Sequence, residues 1–262
     1  MGSGKEATQN EQQRKRKRKE KGKVEGVKSK KNSASASASE QLRFFVDEFQ
    51  SAKGVKLSSL ELDSLKDSSI LTLPHSSVSD SDSDSDVKIL GNNIKAAFGA
   101  SWKQVLCEPD LVPGNVLPGS PAILIVASSA LRSLHLLRGF RSFTKECHAA
   151  KLFSKHMKLE EQVSVLNNRV NIASGTPSRI KKLIDTEALS LSRLQVLLLD
   201  IHPDVKGYSL LTLPQVRDEF WDLFKNYFYQ GMIQGHLRIC LYGPLQSAVR
   251  LKGKPAQPLP DE

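Results

Sequence analysis

Short continuous runs of apolar residues alternate with segments of helical periodicity in the second half of the chain. Two runs, residues 122–126 and 195–200, have the length of strands, and weaker strand signals lie at residues 151–153, 170–173 and 237–242. Continuous apolar runs of this length are typical of strands that are buried on both faces of a parallel sheet. The pattern therefore predicts five strands.

Between these strands, apolar residues recur every three or four positions, which predicts helices at residues 159–168, 177–189 and 214–232. A further helix after residue 126 is expected to bury one apolar side made of Leu131, Leu134, Leu137 and Phe140. Alternating strands and helices predict an α/β fold in which a mostly parallel sheet carries helices on both faces.

Residues 1–40 have a different composition and are predicted to be a disordered basic tail, since they contain too few apolar residues to form a core. They include an unbroken basic run made of Arg14, Lys15, Arg16, Lys17, Arg18 and Lys19. Such a run is typical of a nuclear localisation signal or of a loose grip on nucleic acid. A tail that only increases solubility is the alternative.

Residues 41–87 are predicted to be a linker that contains a possible short helix, whose apolar side would dock on the domain or on a partner: Leu42, Phe44, Phe45, Val46 and Phe49. The linker ends in an acidic tract in which Ser79, Ser81 and Ser83 each precede an aspartate by three residues. This spacing favours acidophilic kinases, although an unmodified acidic spacer is equally consistent with it. The domain would then span residues 88–251 and a flexible tail residues 252–262.

The chain carries 38 Lys and Arg against 28 Asp and Glu, a formal net charge of +10. Both the tail and residues 91–262 are basic, so the charge favours a polyanionic partner such as nucleic acid. The three cysteines are scattered, which argues against a disulfide framework or a zinc site. No apolar run approaches membrane-spanning length, so no membrane partner is expected.

Ligands of open parallel sheets bind at the carboxyl ends of the strands, so the turns that follow the strands are the candidate sites. After residue 173, Thr176 and Pro177 suit the start of a helix whose amides and dipole would face a phosphate. After residue 126 comes a second turn rich in hydroxyl groups. The candidate phosphate-backbone contacts at the two turns are Ser128, Ser129, Arg132, Gly175, Thr176, Arg179, Lys181 and Lys182. A plain capped helix with solvated basic residues is the alternative.

Asp200 ends a predicted strand and could hold Mg²⁺, but only beside a loop that cradles nucleotide phosphates. No G-x-x-x-x-G-K-[ST] motif occurs, and residues 90–93, which lie before the first domain helix where such a loop would belong, lack its second glycine and its lysine. His202 is expected to be a loop histidine rather than a catalytic base. The sequence therefore predicts no enzyme activity, no catalytic residue, no nucleotide, no metal and no other cofactor.

Thr176-Pro177-Ser178-Arg179 resembles the Thr-Pro-Gly-Arg segment of DEAD-box RNA helicases. Residues 127–131 are similar to another helicase segment that follows a strand, Gln162 matches a glutamine of the family, and Asp200 is what remains of the D-E-A-D element. The resemblance implies a degenerate RecA-like (P-loop NTPase-like) domain that contacts the RNA backbone through Thr176 and Arg179 without ATP-driven unwinding.

The basic tail, the acidic tract and residues 97–102, 174–179 and 213–221 resemble the CMSS (Cms-type) family of small-subunit pre-ribosome proteins. This resemblance implies a non-catalytic factor of ribosome biogenesis in the nucleus and nucleolus, with pre-ribosomal RNA and small-subunit pre-ribosome proteins as partners. The leading hypothesis is an RNA-binding scaffold of the early pre-ribosome. The alternatives are a protein-interaction module whose RNA association is indirect and an ATP-dependent RNA helicase-like ATPase.

Overall fold

The computed structural model describes residues 36–73, 84–110, 116–155 and 157–245. Three sequence predictions lie outside these residues, namely the basic run at 14–19, the phosphorylation candidates Ser79, Ser81 and Ser83, and the tail at 252–262. Of residues 84–86, at the end of the acidic tract, only the backbone is described, and it is helical.

The described part of the chain is built on a five-stranded parallel sheet with the order β2-β3-β1-β4-β5. The strands are β1 (Ile123–Val126), β2 (Ala150–Leu152), β3 (Ile172–Gly175), β4 (Val196–Asp200) and β5 (Arg238–Tyr242). Every residue of β1, β3 and β4 is buried, as expected for strands that are covered on both faces. The predicted parallel sheet and α/β class are confirmed.

Helices cover both faces of this sheet. The described helices are α1 (Ala38–Lys53), α2 (Ser59–Ser64), α3 (Asp84–Ala96), α4 (Trp102–Leu106), α5 (Ala130–Leu137), α6 (Leu159–Leu166), α7 (Pro177–Asp185), α8 (Pro214–Leu223) and α9 (Tyr229–Ile233). Successive strand residues point to opposite faces. Accordingly Ile123 and Ile125 join a core with residues of α3, α4 and α5, whereas Leu124 and Val126 join a second core with residues of α1, α7 and α8.

The predicted apolar side of α5 is wrong at two of its four positions. Leu131 and Leu134 are exposed, and the buried positions of the helix are Ser133 and Leu136. The Ser133 hydroxyl lies 2.7 Å from the hydroxyl of Ser174 in β3. A small polar pair therefore replaces the expected leucines where α5 meets the sheet, and a hydrophobic pattern does not identify such a contact.

Residues 90–93 lie inside α3, not before the first domain helix as the sequence suggested. A Cβ atom at Gly91 would lie 2.1 Å from the carbonyl oxygen of Gly139. The glycine therefore allows α3 to pack closely against the turn at Arg138–Phe140 that follows α5. The role of Gly91 is therefore in helix packing.

Helix α1 begins at Ala38, so the last residues of the predicted disordered tail (residues 1–40) are helical, and it continues into the predicted linker. It packs into the same core as the sheet. Its Phe45 and Phe49 are buried against the Trp221 ring of α8, with ring centroids 5.2 and 5.5 Å apart, respectively. Further along, Ile70 forms a parallel bridge to Ile239 of β5. The apolar side of α1 thus docks on the domain, which is one of the two positions that the sequence predicted for it.

The helix that carries Trp221 contains a local irregularity. Between α8 and α9 the chain forms one turn of π-helix, Phe224–Phe228, in place of the regular helix predicted for residues 214–232. Phe224 and Phe228 are both buried, and Phe224 makes an edge-on contact with Phe45 at a centroid distance of 5.0 Å. The bulged turn therefore contributes to the surface on which α1 docks.

Truncation of Phe45 should show that α1 is part of the folded domain. We expect Phe45→Ala to lower the free energy of unfolding by about 3–5 kcal/mol, because it leaves a cavity among aromatic rings. The exposed Leu62→Ala is the matched control and should change it by less than about 0.5 kcal/mol. Urea denaturation measures both, and equal midpoints for Phe45→Ala and the unaltered chain would show that α1 does not stabilise the domain.

Candidate nucleic-acid interface

The carboxyl ends of the parallel strands bring the turns after β1, β3 and β4 to one edge of the sheet, which we call the carboxyl edge. Val126, Gly175 and Leu199 stand side by side in the ladder of β3, β1 and β4. Of the eight candidate contacts, three follow β1, Gly175 is the last residue of β3, and the other four follow β3. The topology therefore places both candidate turns at this edge, as the sequence predicted.

The turn after β1 presents two serines. The side chain of Ser129 accepts a hydrogen bond of 3.3 Å from the backbone N–H of Arg132 and so caps the start of α5. Ser129 is exposed and Ser128 is half-buried. The Ser129 hydroxyl satisfies one of the free amides at this helix start, which leaves the turn less available to an anion than an uncapped one.

The Arg132 side chain is bound inside the protein. Its Nε donates to one carboxylate oxygen of Asp200 at 2.8 Å and a terminal nitrogen donates to the other at 2.9 Å. The Nδ1 atom of His202 lies 3.2 Å from the same carboxylate. Asp200 is fully buried, so Arg132 neutralises a charge at the end of β4. The sequence predicted Arg132 to contact a phosphate, because nothing in the sequence indicated its ion pair with Asp200.

These contacts keep the buried Asp200 ionised. Burial by itself would raise the pKa of the carboxyl group, but the hydrogen bond from His202 and the bonds and charge of Arg132 hold that pKa below its ordinary value. The His202 ring in turn packs on the ring of Tyr242 at the end of β5, with centroids 4.4 Å apart. Asp200 therefore joins the ends of β4, β5 and α5 into one polar cluster.

The turn after β3 is organised differently. Gly175 is buried at the end of the strand, where a Cβ atom would lie 2.1 Å from the carbonyl oxygen of Leu152 in β2. This glycine is needed for the close approach of two strands, so its side of the turn is not open to a ligand. Thr176 follows as the first residue outside α7, but its side chain makes no capping hydrogen bond. The amides at the start of α7 are thus not satisfied by the hydroxyl that the sequence assigned to them.

Arg179 in the first turn of α7 is held by a neutral partner. One of its terminal nitrogens donates a hydrogen bond of 2.9 Å to the side-chain oxygen of Gln162 in α6. The amide nitrogen of Gln162 in turn donates to the carbonyl oxygens of Lys151 and Phe153, at 2.8 and 2.9 Å. The buried Gln162 is therefore fixed by β2 and orients Arg179 without neutralising it. The sequence offered one signal for Gln162, its match to a glutamine of the DEAD-box helicases.

The two lysines of α7 differ in their surroundings. Lys181 forms an ion pair of 2.8 Å with Asp185, one helical turn further along, and Asp185 also accepts a hydrogen bond from Tyr227. Lys182 is exposed. Of the eight candidate contacts, Arg132 and Lys181 are thus paired within the protein and Gly175 is buried. The accessible set is Ser128, Ser129, Thr176, Arg179 and Lys182.

Other kinds of site have little support within the described residues. No three or more His, Cys, Asp or Glu side chains converge there into a possible metal site. None of the helices described is long and apolar enough to cross a membrane. Burial raises the pKa of the Cys147 thiol and raises that of Cys240 to about 12, which makes both thiols poor nucleophiles at neutral pH.

The ion pair predicts a pH-dependent contribution to stability. Asp200→Asn removes the anion that Arg132 binds at the end of β4 and should lower the free energy of unfolding by about 3 kcal/mol at neutral pH. The folded-state pKa of Asp200 lies below the unfolded value of about 3.9, so the contribution is present above that value and is lost as the pH falls through the folded-state pKa. Chemical denaturation of both proteins between neutral pH and about pH 3 measures it.

The difference between the two proteins should therefore shrink below about pH 4, because the unfolded chain binds a proton at Asp200 there that the folded chain binds only at lower pH. The exposed Asp63→Asn is the control and should have little effect at any pH. A difference for Asp200→Asn that stays constant down to the acid limit would contradict an ionised, Arg132-bound Asp200.

Known proteins similar to this chain belong to two groups. Protein CMS1 of Chaetomium thermophilum is 39% identical over 160 residues, which cover 60% of each chain. Protein CMSS1 of Homo sapiens is 38% identical over 108 residues, which cover 40% of this chain and 39% of that protein. Among solved structures, the yeast DEAD-box splicing factor Prp28 has a similar chain fold, with a TM-score of 0.46 and 16% identity over 70% of this chain and 38% of that one.

The match to these relatives is partial in length, since the aligned region spans 39 to 60% of the two curated proteins. The match to a family model is much longer. The model named CMS1, described as a U3-containing 90S pre-ribosomal complex subunit, covers residues 2–242. Because this match includes nearly the whole chain, the protein belongs to the CMS1 family.

Proposed function

We propose that this chain is a non-catalytic nucleolar factor that binds RNA as a scaffold in the early precursor of the small ribosomal subunit. Its family is described as a subunit of the U3-containing 90S pre-ribosomal complex, which supports a role in ribosome biogenesis. The proposed partners are pre-ribosomal RNA and small-subunit pre-ribosome proteins. The molecular activity follows from the carboxyl edge of the sheet.

One contrast at this edge carries the proposal. At the end of β4, the charge of Asp200 is neutralised inside the protein by Arg132. At the end of β3, Arg179 is oriented by the uncharged Gln162 and pairs with no carboxylate in the described part of the chain. At this edge the carboxylate of Asp200 is neutralised, and the guanidinium group of Arg179 is oriented but not neutralised. This arrangement suits a phosphate.

The surroundings of Arg179 supply further phosphate ligands. Thr176 is half-buried with its hydroxyl not used as a cap, and the dipole of α7 places partial positive charge at the same turn. Lys182 adds an exposed charge one turn further along. Backbone amides, a hydroxyl and a guanidinium group together bind phosphodiester oxygens without reading bases. We infer that the contact is to the RNA backbone and does not depend on sequence.

The absence of catalysis is also part of the proposal. A strand-terminal aspartate can hold Mg²⁺ only with a free oxygen, and Arg132 and His202 engage both oxygens of Asp200. The next residue, Ile201, is buried and has no polar group that could position a water. Calorimetric titration with Mg-ATP should therefore give no binding heat. Saturable heat would favour the ATPase alternative instead.

A protein-interaction role is the second candidate, and one loop favours it. Val205 is fully exposed and Tyr208 is partly exposed at the tip of the loop after β4. The side chain of Asp204 accepts backbone hydrogen bonds from Lys206 and Tyr208, at 2.9 and 2.8 Å, which hold the tip in one conformation. A rigid apolar tip suits a protein pocket. Purified protein that ignores RNA yet captures pre-ribosomal proteins would favour this alternative.

Location in the nucleus and nucleolus is the remaining element of the proposal. It is supported by the family description and by the basic run at residues 14–19. A fluorescent fusion of the full chain should accumulate in the nucleolus, and glutamine at all six positions of the run should reduce nuclear accumulation. An unchanged distribution would assign the run to another role.

The RNA contact is tested with Arg179→Ala. In the full chain with residues 14–19 changed to glutamine, we expect this variant to weaken binding to single-stranded RNA. Loss of one phosphate contact should also lower the slope of log K against log salt concentration by about 0.7. Fluorescence anisotropy at several salt concentrations measures both the affinity and the slope.

Lys181→Ala is the matched control, because it removes the same charge from the same helix but from a side chain paired with Asp185. It should change neither the affinity nor the slope appreciably. If Arg179→Ala and Lys181→Ala behave alike, Arg179 is not the oriented phosphate contact that the carboxyl edge implies.

A further inference from the structure

A cluster of cations and one aromatic ring lies away from the carboxyl edge. The Nζ atom of Lys95, at the end of α3, lies 3.8 Å from the ring centroid of Trp102, and that of Lys103 lies 5.8 Å from it. The ring of Phe143 makes an edge-to-face contact with the Trp102 ring, with the ring centroids 5.8 Å apart. Arg141 and Lys145 flank Phe143 in the chain and are exposed. We call Lys95, Trp102, Lys103, Arg141 and Lys145 the tryptophan patch.

This patch lies near the amino ends of the strands. Arg169 and Asn171, which precede β3, donate to the backbone carbonyls of Gln104 and Glu108, respectively, at 2.8 Å in both cases. Arg238, the first residue of β5, donates to the carbonyl of Ala97 at 3.1 Å. These bonds fix the end of α3 and the whole of α4 at the opposite end of the sheet from Arg179.

Ion pairs within the described residues do not neutralise the cations of the patch. None of its four cations forms an ion pair with a described side chain. Two exposed acids are near the patch: Glu108, whose backbone N–H donates to the carbonyl oxygen of Lys103 at 3.3 Å, and Glu146. Burial and then the charge of Glu146 raise the pKa of the Cys107 thiol, whereas Lys103 and Lys95 lower it. Lys95 and Lys103 lie beside the half-buried Trp102 ring, and the exposed Arg141 and Lys145 belong to the segment whose Phe143 contacts that ring. These four cations outnumber the two acids.

The composition of this surface distinguishes between two classes of partner. Protein interfaces have apolar centres, whereas nucleic-acid interfaces are polar and strongly basic. The large exposed apolar side chains of the described residues lie elsewhere, and none belongs to α3, to α4 or to residues 138–146. An aromatic ring among lysines is also the combination that binds single-stranded nucleic acid, through phosphate contacts and base stacking.

We propose that the tryptophan patch is a second RNA-binding surface, which takes single-stranded RNA at the amino end of the sheet. The choice of RNA as the partner rests on the proposed function, but the surface shares no residue with the carboxyl edge. With both surfaces occupied, the domain holds two stretches of RNA at opposite ends of strands that span roughly 17 Å. That is how a small domain without catalytic activity acts as a scaffold.

The patch contains a natural reporter. The chain has two tryptophans, and Trp221 is fully buried among the aromatic rings under α1. The full chain labelled with 5-fluorotryptophan should therefore give two fluorine resonances, which Trp102→Phe assigns. Titration with single-stranded oligouridylate should shift the Trp102 resonance and leave that of Trp221 in place. RNA held only by the basic tail shifts neither of them.

Charge reversal tests the patch itself. Lys103→Glu with Arg141→Glu should weaken the RNA affinity that the Trp102 resonance reports. It should also lower the slope of log K against log salt concentration by about 1.4, since two phosphate contacts are lost. Lys56→Glu with Lys225→Glu makes the same change of charge at exposed positions beside the other core and should leave the titration unchanged. The Trp221 resonance reports whether each variant remains folded.

This experiment tests the tryptophan patch separately from the carboxyl edge. Arg179→Ala should leave the Trp102 shift intact, and a Trp102 shift that persists in it supports the patch even if the carboxyl edge binds nothing. A Trp102 resonance that does not respond to oligouridylate overturns the patch, whatever the affinity of the whole chain. A response to an acidic peptide but not to RNA overturns it as well and assigns the surface to a protein.

Discussion

The structure depends on how the charge at the end of β4 is neutralised. Asp200 closes a strand whose residues are all buried, and an unpaired carboxylate there would be strongly destabilising. Arg132 supplies the counter-charge from α5, and His202 supplies a further hydrogen bond from the turn. Because α5 follows β1, this single ion pair ties neighbouring strands and their connecting helix together at the carboxyl edge.

The same pair determines what the edge can bind. An Asp200 carboxylate with both oxygens engaged is a poor ligand for a cation, and an Arg132 bound to it is a poor ligand for an anion. Positive charge that can reach a ligand is therefore concentrated at the next turn, where Gln162 orients Arg179. The turn after β3 thus presents an oriented cation, whereas the side chain of Arg132, after β1, contributes to stability.

Much of the fold could be predicted from the sequence because its strands are continuous apolar runs. The runs that became β1 and β4 have no other stable place than the centre of a parallel sheet. Contacts between distant polar side chains could not be predicted in this way. The Ser133–Ser174 pair, the Arg132–Asp200 pair and the Gln162–Arg179 bond join residues 41, 68 and 17 positions apart, and no periodicity marks them. The apolar spacing of its aromatic residues predicts helix α1, but the spacing does not distinguish docking on the domain from docking on a partner.

The central claim is that the folded domain, and not only the basic tail, contacts RNA. Crosslinking of the full chain to RNA in cells, with the crosslinked residues mapped, tests it most directly. The account predicts crosslinked peptides that contain Thr176 and Arg179, and their loss in Arg179→Ala while crosslinks in residues 1–40 persist. Crosslinks confined to residues 1–40 would contradict it and would assign the domain to protein contacts alone.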